Sequence, residues 1–248
     1  GYTFGRNRGA GLAELLGAMR HLGNESNRRK LLLGRGWGKL REDGSVDSTG
    51  FDAFIDRMHA EGKIQKKHWD YLQAEWNLHE EIKPLAQKAH MAIYGRYFAE
   101  VTADPIQTPF GTYAGGYVAA KVDPALNSDA AARQAENLLA GGRSGSFQFP
   151  GPANGFTKSR VEYNAPLDLD IRLAISQMDQ VLKFAFMGPA VRDVNRVLLN
   201  KDFKPVLDAY DRNAWQGLLL PWLERSVSQQ TTTASRSVGG RFFDRVVQ

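Results

Sequence analysis

Ile64–Tyr94, IQKKHWDYLQAEWNLHEEIKPLAQKAHMAIY, is the longest stretch of this chain that reads as one helix. At about 1.5 Å per residue it would span roughly 45 Å, longer than most helices in a single domain. At about 100° per residue, Leu72, Trp76, Ile82, Ala86, Ala89 and Ile93 share one stripe, with Trp69 and Tyr71 at its margins. Lys66, Lys67, Asp70 and Glu80 lie mostly off that stripe. A helix with two tryptophans on its buried side needs other helices to cover it. The stretch is therefore expected to be the mast of a mostly α, irregular multi-helix domain. Pro84 sits inside it, and its ring is expected to kink the helix.

Covering helices are available on both sides. Upstream, Leu12, Leu15, Leu16, Met19 and Leu22 recur at helical spacing, and Gly23-Asn24 reads as a helix stop. Ser26 then caps a short second helix running to Leu33. The glycine-rich run GRGWGKLREDGS lacks the G-x-x-x-x-G-K-[ST] spacing and reads as a surface loop. Asp47 or Ser48 caps a helix to His59 with Phe51, Phe54, Ile55 and Met58 inward. Downstream, Leu167, Ile171, Ala174, Ile175, Met178, Val181, Leu182 and Ala185, widened by Phe184 and Phe186, predict a helix buried on more than one side. Pro189 is expected to open the next helix, followed by helices over Asp202 to Tyr210 and Ala214 to Val227.

Between these sets the composition changes. PIQTPFGTYAGGYVAAKVDP predicts a loop or a short β-hairpin, and Asp129 to Ala140 a short helix. Residues 1–104 thus form an N-terminal helical part with the long helix, and 105–165 a Gly/Pro-rich loop or hairpin insertion in the middle third. Residues 166–228 form a C-terminal helical part of the same domain, and 229–248 a linker and the start of a truncated element. The start without Met also reads as an excised piece.

The 248 residues carry a net charge of +5, and no apolar run approaches the roughly 20 residues a membrane-spanning helix requires. The absence of cysteine excludes disulfides, Cys-ligated zinc and thiol nucleophiles. The basic excess leaves nucleic acid as a candidate partner, with Arg28, Arg29, Arg35, Lys39, Arg41, Lys66 and Lys67 on phosphates. His68, His79 and His90 recur every eleven residues, so they lie near one line but about 16 Å apart along the helix. One metal ion cannot join them, and packed imidazoles bonded to neighbouring helices are expected. No H-E-x-x-H, G-x-S-x-G or dinucleotide fingerprint is present, so neither catalytic residues nor a cofactor are assigned. An enzyme would have to place its site near the Gly111 to Tyr117 turn with a histidine such as His90.

Several stretches in order carry a resemblance. They are Leu22-Gly23-Asn24-Glu25-Ser26-Asn27 with Lys30-Leu31-Leu32 and Gly36-Trp37-Gly38; Trp69 to Trp76 with Lys83-Pro84 and His90; and Pro109 to Val118 with Asp123-Pro124. Phe156 to Arg160, Pro166 to Asp170 and Trp222-Leu223 follow. Together this order resembles the large polyvalent protein-associated domains of phages and prophages, which sit inside giant polypeptides that include internal virion and ejected proteins. Ala119 departs from the pattern, where a proline is expected. The resemblance implies a non-catalytic scaffold or interaction module whose partners are flanking domains of a longer polypeptide or other virion proteins. It also implies a location in the virion, then in the host cytoplasm or cell envelope after ejection, and a DNA-delivery setting for the nucleic-acid alternative. Trp69, Trp76, Pro84, Gly115 and Gly116 read as structural residues within it.

Overall fold

The computed structural model describes residues 11–132, 165–198 and 200–211, together with 217 and 219. The fold is mostly α, with two small antiparallel hairpins and one dominant helix. In order these are α1 (Leu12–Met19), a 3-10 turn (Arg20–Gly23), α2 (Glu25–Gly34), β1 (Lys39–Leu40), β2 (Val46–Asp47), α3 (Thr49–Ala60) and α4 (Lys66–Tyr94). The second hairpin, β3 (Ile106–Thr108) and β4 (Gly111–Tyr113), precedes α5 (Leu173–Leu198) and α6 (Phe203–Tyr210). The segments 133–164 and 220–248, with the helices expected over 129–140 and 214–227 and the terminal linker, lie outside the described residues or extend beyond them.

α4 has 29 residues, about 43 Å of helix, and runs unbroken through Pro84. Gln65 and His68 form a reciprocal capping box at its start, and Gly95 in the left-handed conformation closes its end. Most of the predicted stripe is buried: Leu72, Trp76 and Ala86 are fully covered and Trp69 is 1% exposed, whereas Ile93 is half-buried and Tyr71, at the margin, is exposed. Around the first half of α4 the main core gathers Leu15, Met19, Leu31, Phe51, Met58 and Leu167 from α1, α2, α3 and the strand-like segment before α5. Trp37 stacks on Phe51 with ring centroids 5.6 Å apart. Around the second half, Ile82 and Ala86 pack with Phe98, Tyr117 and Val181, and α5 lies along this side of α4.

Five local expectations are corrected. Asn24 is extended and caps α2, its side chain accepting the Asn27 N–H at 2.9 Å, so neither a left-handed stop nor a Ser26 cap forms. The glycine-rich run after α2 is not an open loop but a hairpin, pairing Lys39 with Asp47 and Leu40 with Val46. The helix expected from Leu167 starts only at Leu173, because residues 121–123 claim the main chain of 166–168. Asp123 N–H donates to Pro166 at 2.8 Å, and Asp168 N–H to Lys121 at 2.9 Å. α5 then continues through Pro189, since Val181, Phe184 and Val191 are buried on both sides of the proline and hold the helix in line. It is also covered on one side only: Ile175 is 76% exposed and Phe186 67%.

Candidate functional site

The polar residues of the interior converge on the turn between α1 and α2. Arg20 lies at the end of α1, and its guanidinium donates to Glu75 on α4 and, at 3.1 Å, to Gln177 on α5. The Arg20 and Glu75 side chains are both almost completely buried. Trp76 Nε1 donates to the Arg20 carbonyl at 3.0 Å, so one turn of α4 holds both the side chain and the backbone of Arg20. A charge pair out of water is stable only when its geometry and hydrogen bonds offset desolvation. Here the pair links three helices.

Next to it, the run 116–121 crosses the core without a strand partner before Val122 makes its isolated bridge to Leu167. Side-chain amides take the place of a neighbouring strand. Asn24 donates to the Gly116 carbonyl at 3.2 Å, Asn27 to Val118 at 2.7 Å and Gln177 to Ala119 at 2.9 Å. The Gly23 carbonyl accepts from both Asp104 and Gly116 N–H at 2.9 Å. Buried carbonyls need such partners, and three side chains from two helices supply them. Gly116 lies so close to Trp76 that a Cβ there would overlap the indole, and a Cβ on Gly23 would fall 2.5 Å from the Gly116 carbonyl. The glycine and tryptophan motifs therefore meet in one place.

Histidines follow the same structural logic. His21 is buried beside Arg20 and Lys30, and burial first, then those two cations, hold its pKa well below the usual imidazole range. His79 Nδ1 donates to the Glu75 carbonyl at 2.9 Å, and burial lowers its pKa. His68 Nδ1 accepts the Gln65 N–H at 3.1 Å, while His90 Nδ1 donates to Arg96 at 2.6 Å and its ring packs edge-on to Phe98. The three imidazoles of α4 are packed, and each makes a hydrogen bond within α4 or at one of its ends. An imidazole reaches the carbonyl one turn back, or the open N–H at its own helix start, more readily than another element. Among the described residues no group of three or more His, Asp or Glu side chains is placed to hold a metal ion.

The basic residues considered for phosphate contact are distributed over α2, the first hairpin and the start of α4. Arg28 holds Asp52 at 3.0 Å, Arg35 holds Asp123 at 3.0 Å and the Leu167 carbonyl, and Arg41 lies 3.4 Å from Asp47. Arg29 donates to the Gly44 carbonyl at 2.6 Å and Lys66 holds Asp70 at 2.8 Å. Lys39 and Lys67 are exposed.

One cleft opens beside this machinery. It encloses about 320 Å³ between α3 and β3. Phe51, Ile55 and Trp69 line it together with Pro105, Ile106 and Gln107, while Glu25, Asp52, Asp56 and Asp104 bring carboxylates. His59 also lines it, its Nε2 accepting from Trp69 Nε1 at 2.9 Å, so the proton of the neutral ring sits on Nδ1. The Gly111 to Tyr117 turn is near this cleft through Trp69, on which Tyr113 stacks at 5.7 Å; His90 is at the far end of α4. Sequence reasoning missed Arg20, Glu75, Gln177, His59 and the four cleft carboxylates. The only available signal was the pair Asn24 and Asn27, spaced three apart at a helix start.

Comparison with protein-family models, curated proteins and solved structures finds no match for this chain.

Proposed function

We propose that this chain is a non-catalytic helical scaffold, an interaction module of a phage virion or ejected polyvalent protein. It would pack against flanking domains of a longer polypeptide or against other virion proteins, first in the particle and then in the host cytoplasm or envelope. The phage setting rests on the ordered motifs alone. The observation that carries the interaction reading is the outer side of α5 and α6. Ile175, Phe186, Val197, Val206 and Tyr210 are exposed there, although the opposite side of α5 is buried. Scattered apolar residues are ordinary on a surface, but several along two consecutive helices suit a protein neighbour. The interior polar groups favour the same reading, because they tie elements together instead of facing an opening.

Crosslinking within the assembled particle tests it. Lys183 and Lys201, on and just after α5, are expected to join to other polypeptides or to flanking domains. Links confined to this chain would overturn the proposal. A nucleic-acid role has less support, since Arg28, Arg35, Arg41 and Lys66 already hold carboxylates. A gel shift that weakens steeply with salt would reinstate it.

A further inference from the structure

We propose that the cleft between α3 and β3 docks an extended basic peptide of a partner polypeptide. The peptide would add as a third strand to β3, with an arginine or lysine reaching the acidic rim. This deepens the interaction-module reading and rests on it.

Backbone geometry supplies the first observation. β3 and β4 form a two-stranded sheet, so each strand has an open edge. Ile106 and Gln107 line the cleft while no residue of β4 does, so it is the open edge of β3 that borders it. Thr108 pairs with Gly111 across a two-residue turn and is the closing hydrogen-bonded pair. Alternation along an antiparallel ladder then turns the N–H and C=O of Gln107 away from β4. Pro105 and Pro109 flank this edge and offer no N–H, limiting an added strand to a short register around Gln107.

Charge complementarity supplies the second. Of the four cleft carboxylates, Asp52 is neutralised by Arg28, which it meets at 3.0 and 3.2 Å, and it also accepts from Ser48 Oγ at 2.6 Å. Asp104 accepts only a backbone N–H, from Glu25 at 2.5 Å. His59 adds no charge when neutral, and burial lowers its pKa despite nearby Asp56. Glu25, Asp56 and Asp104 thus leave three negative charges around an apolar floor of Phe51, Ile55 and Trp69 in a chain whose net charge is +5. An aliphatic stem ending in a cation fits that arrangement, the stem on the rings and the charge at the rim.

The test uses the full chain and two capped six-residue peptides, one alternating valine with arginine and one alternating valine with glutamate. Isothermal titration at low salt is expected to show about tenfold tighter binding of the arginine peptide, declining as salt rises. Asp56→Asn should weaken it about three- to fivefold, whereas Glu81→Gln, on the exposed side of α4, should not. The Gln107 amide should gain protection from hydrogen exchange when the arginine peptide is bound. Equal affinity for both peptides, no binding at millimolar peptide, no effect of Asp56→Asn or an unprotected Gln107 amide would each overturn the proposal. If the peptide fails while α5 and α6 still crosslink to other polypeptides, the docking cleft falls and the scaffold reading stands.

Discussion

The two halves of α4 have similar apolar stripes but different surroundings. From His68 to His79 the helix buries Trp69, Leu72 and Trp76 against α1, α2, α3 and the run through the core, while Tyr71 and Leu78 stay exposed on its outer side. From Ile82 to Tyr94 it has one seam with α5 and the segment carrying Phe98, and Leu85, Met91 and Tyr94 remain exposed. Periodicity alone therefore says which side of a helix is apolar, not how many neighbours will share it. The enclosed half carries the fold, and the half-covered one has surface left for a partner. Trp76→Ala, in the enclosed half, is expected to cost about 3–5 kcal/mol, and Ile82→Ala, in the seam, about 2 kcal/mol. Urea unfolding followed by circular dichroism measures both. Equal losses would erase the distinction between the halves.

The buried ion pair sharpens it further. Arg20→Met leaves Glu75 charged in the interior and should cost about 3 kcal/mol. Adding Glu75→Met to it should restore much of that loss, because the interaction is a tether whose desolvation opposes its attraction. If the double variant is no better than the single one, the tether contributes through specific geometry that methionine cannot replace. Gly116→Ala should cost about 1–3 kcal/mol, as its methyl group must displace the Trp76 ring in a closely packed place. The same change at Gly50, which has open space around it, is expected to be mild; thermal melts of both proteins make the comparison.

Much of the enclosed half was legible from the residues. Phe51, Phe54, Ile55 and Met58 at helical spacing, and Trp69, Leu72 and Trp76 after them, are an unmistakable 3.6-residue pattern, and all are buried. The first hairpin was not legible, because β1 and β2 are two residues each and present no alternation. The core path of Tyr117 to Ala120 was hidden for a different reason. The carbonyls of Val118 and Ala119, and of Gly116 just before them, are satisfied by Asn27, Gln177 and Asn24, whose positions are remote in the chain, so no local pattern announces its burial. The burial of Glu75 was hidden for the same reason, its partner Arg20 being 55 residues away. Pro189 misled because a proline rule is local, while the burial of Phe184 and Val191 on either side of it is not.

Acid should act on the enclosed half. His21 and His79 have folded-state pKa values below the ordinary 6.5, chiefly through burial. In the unfolded chain they titrate near that ordinary value, so between the two values the unfolded state binds more protons. Their contribution is complete above about pH 6.5 and is lost as the pH falls below it, by up to about 1.4 kcal/mol per pH unit for each group. Urea midpoints measured from pH 7.5 to 5 should decline, and a His21→Asn variant should show a shallower decline. A midpoint constant through that range would mean that water or a conformational change relieves the buried rings.

The smallest effect on stability separates the halves by function. Ile175→Ser and Phe186→Ser change side chains that are 76% and 67% exposed on the outer side of α5. Each should alter unfolding by no more than about 0.5 kcal/mol, as surface substitutions away from caps and packed contacts do. If these residues meet a neighbour in the assembly, the double variant should nevertheless lose crosslinks from Lys183 and Lys201 to other polypeptides while melting as the parent does. A variant that melts early would show that these side chains belong to the fold itself. One that melts normally and keeps every crosslink would place the contact surface elsewhere, and would leave the half-covered part of α4 without the role argued for it.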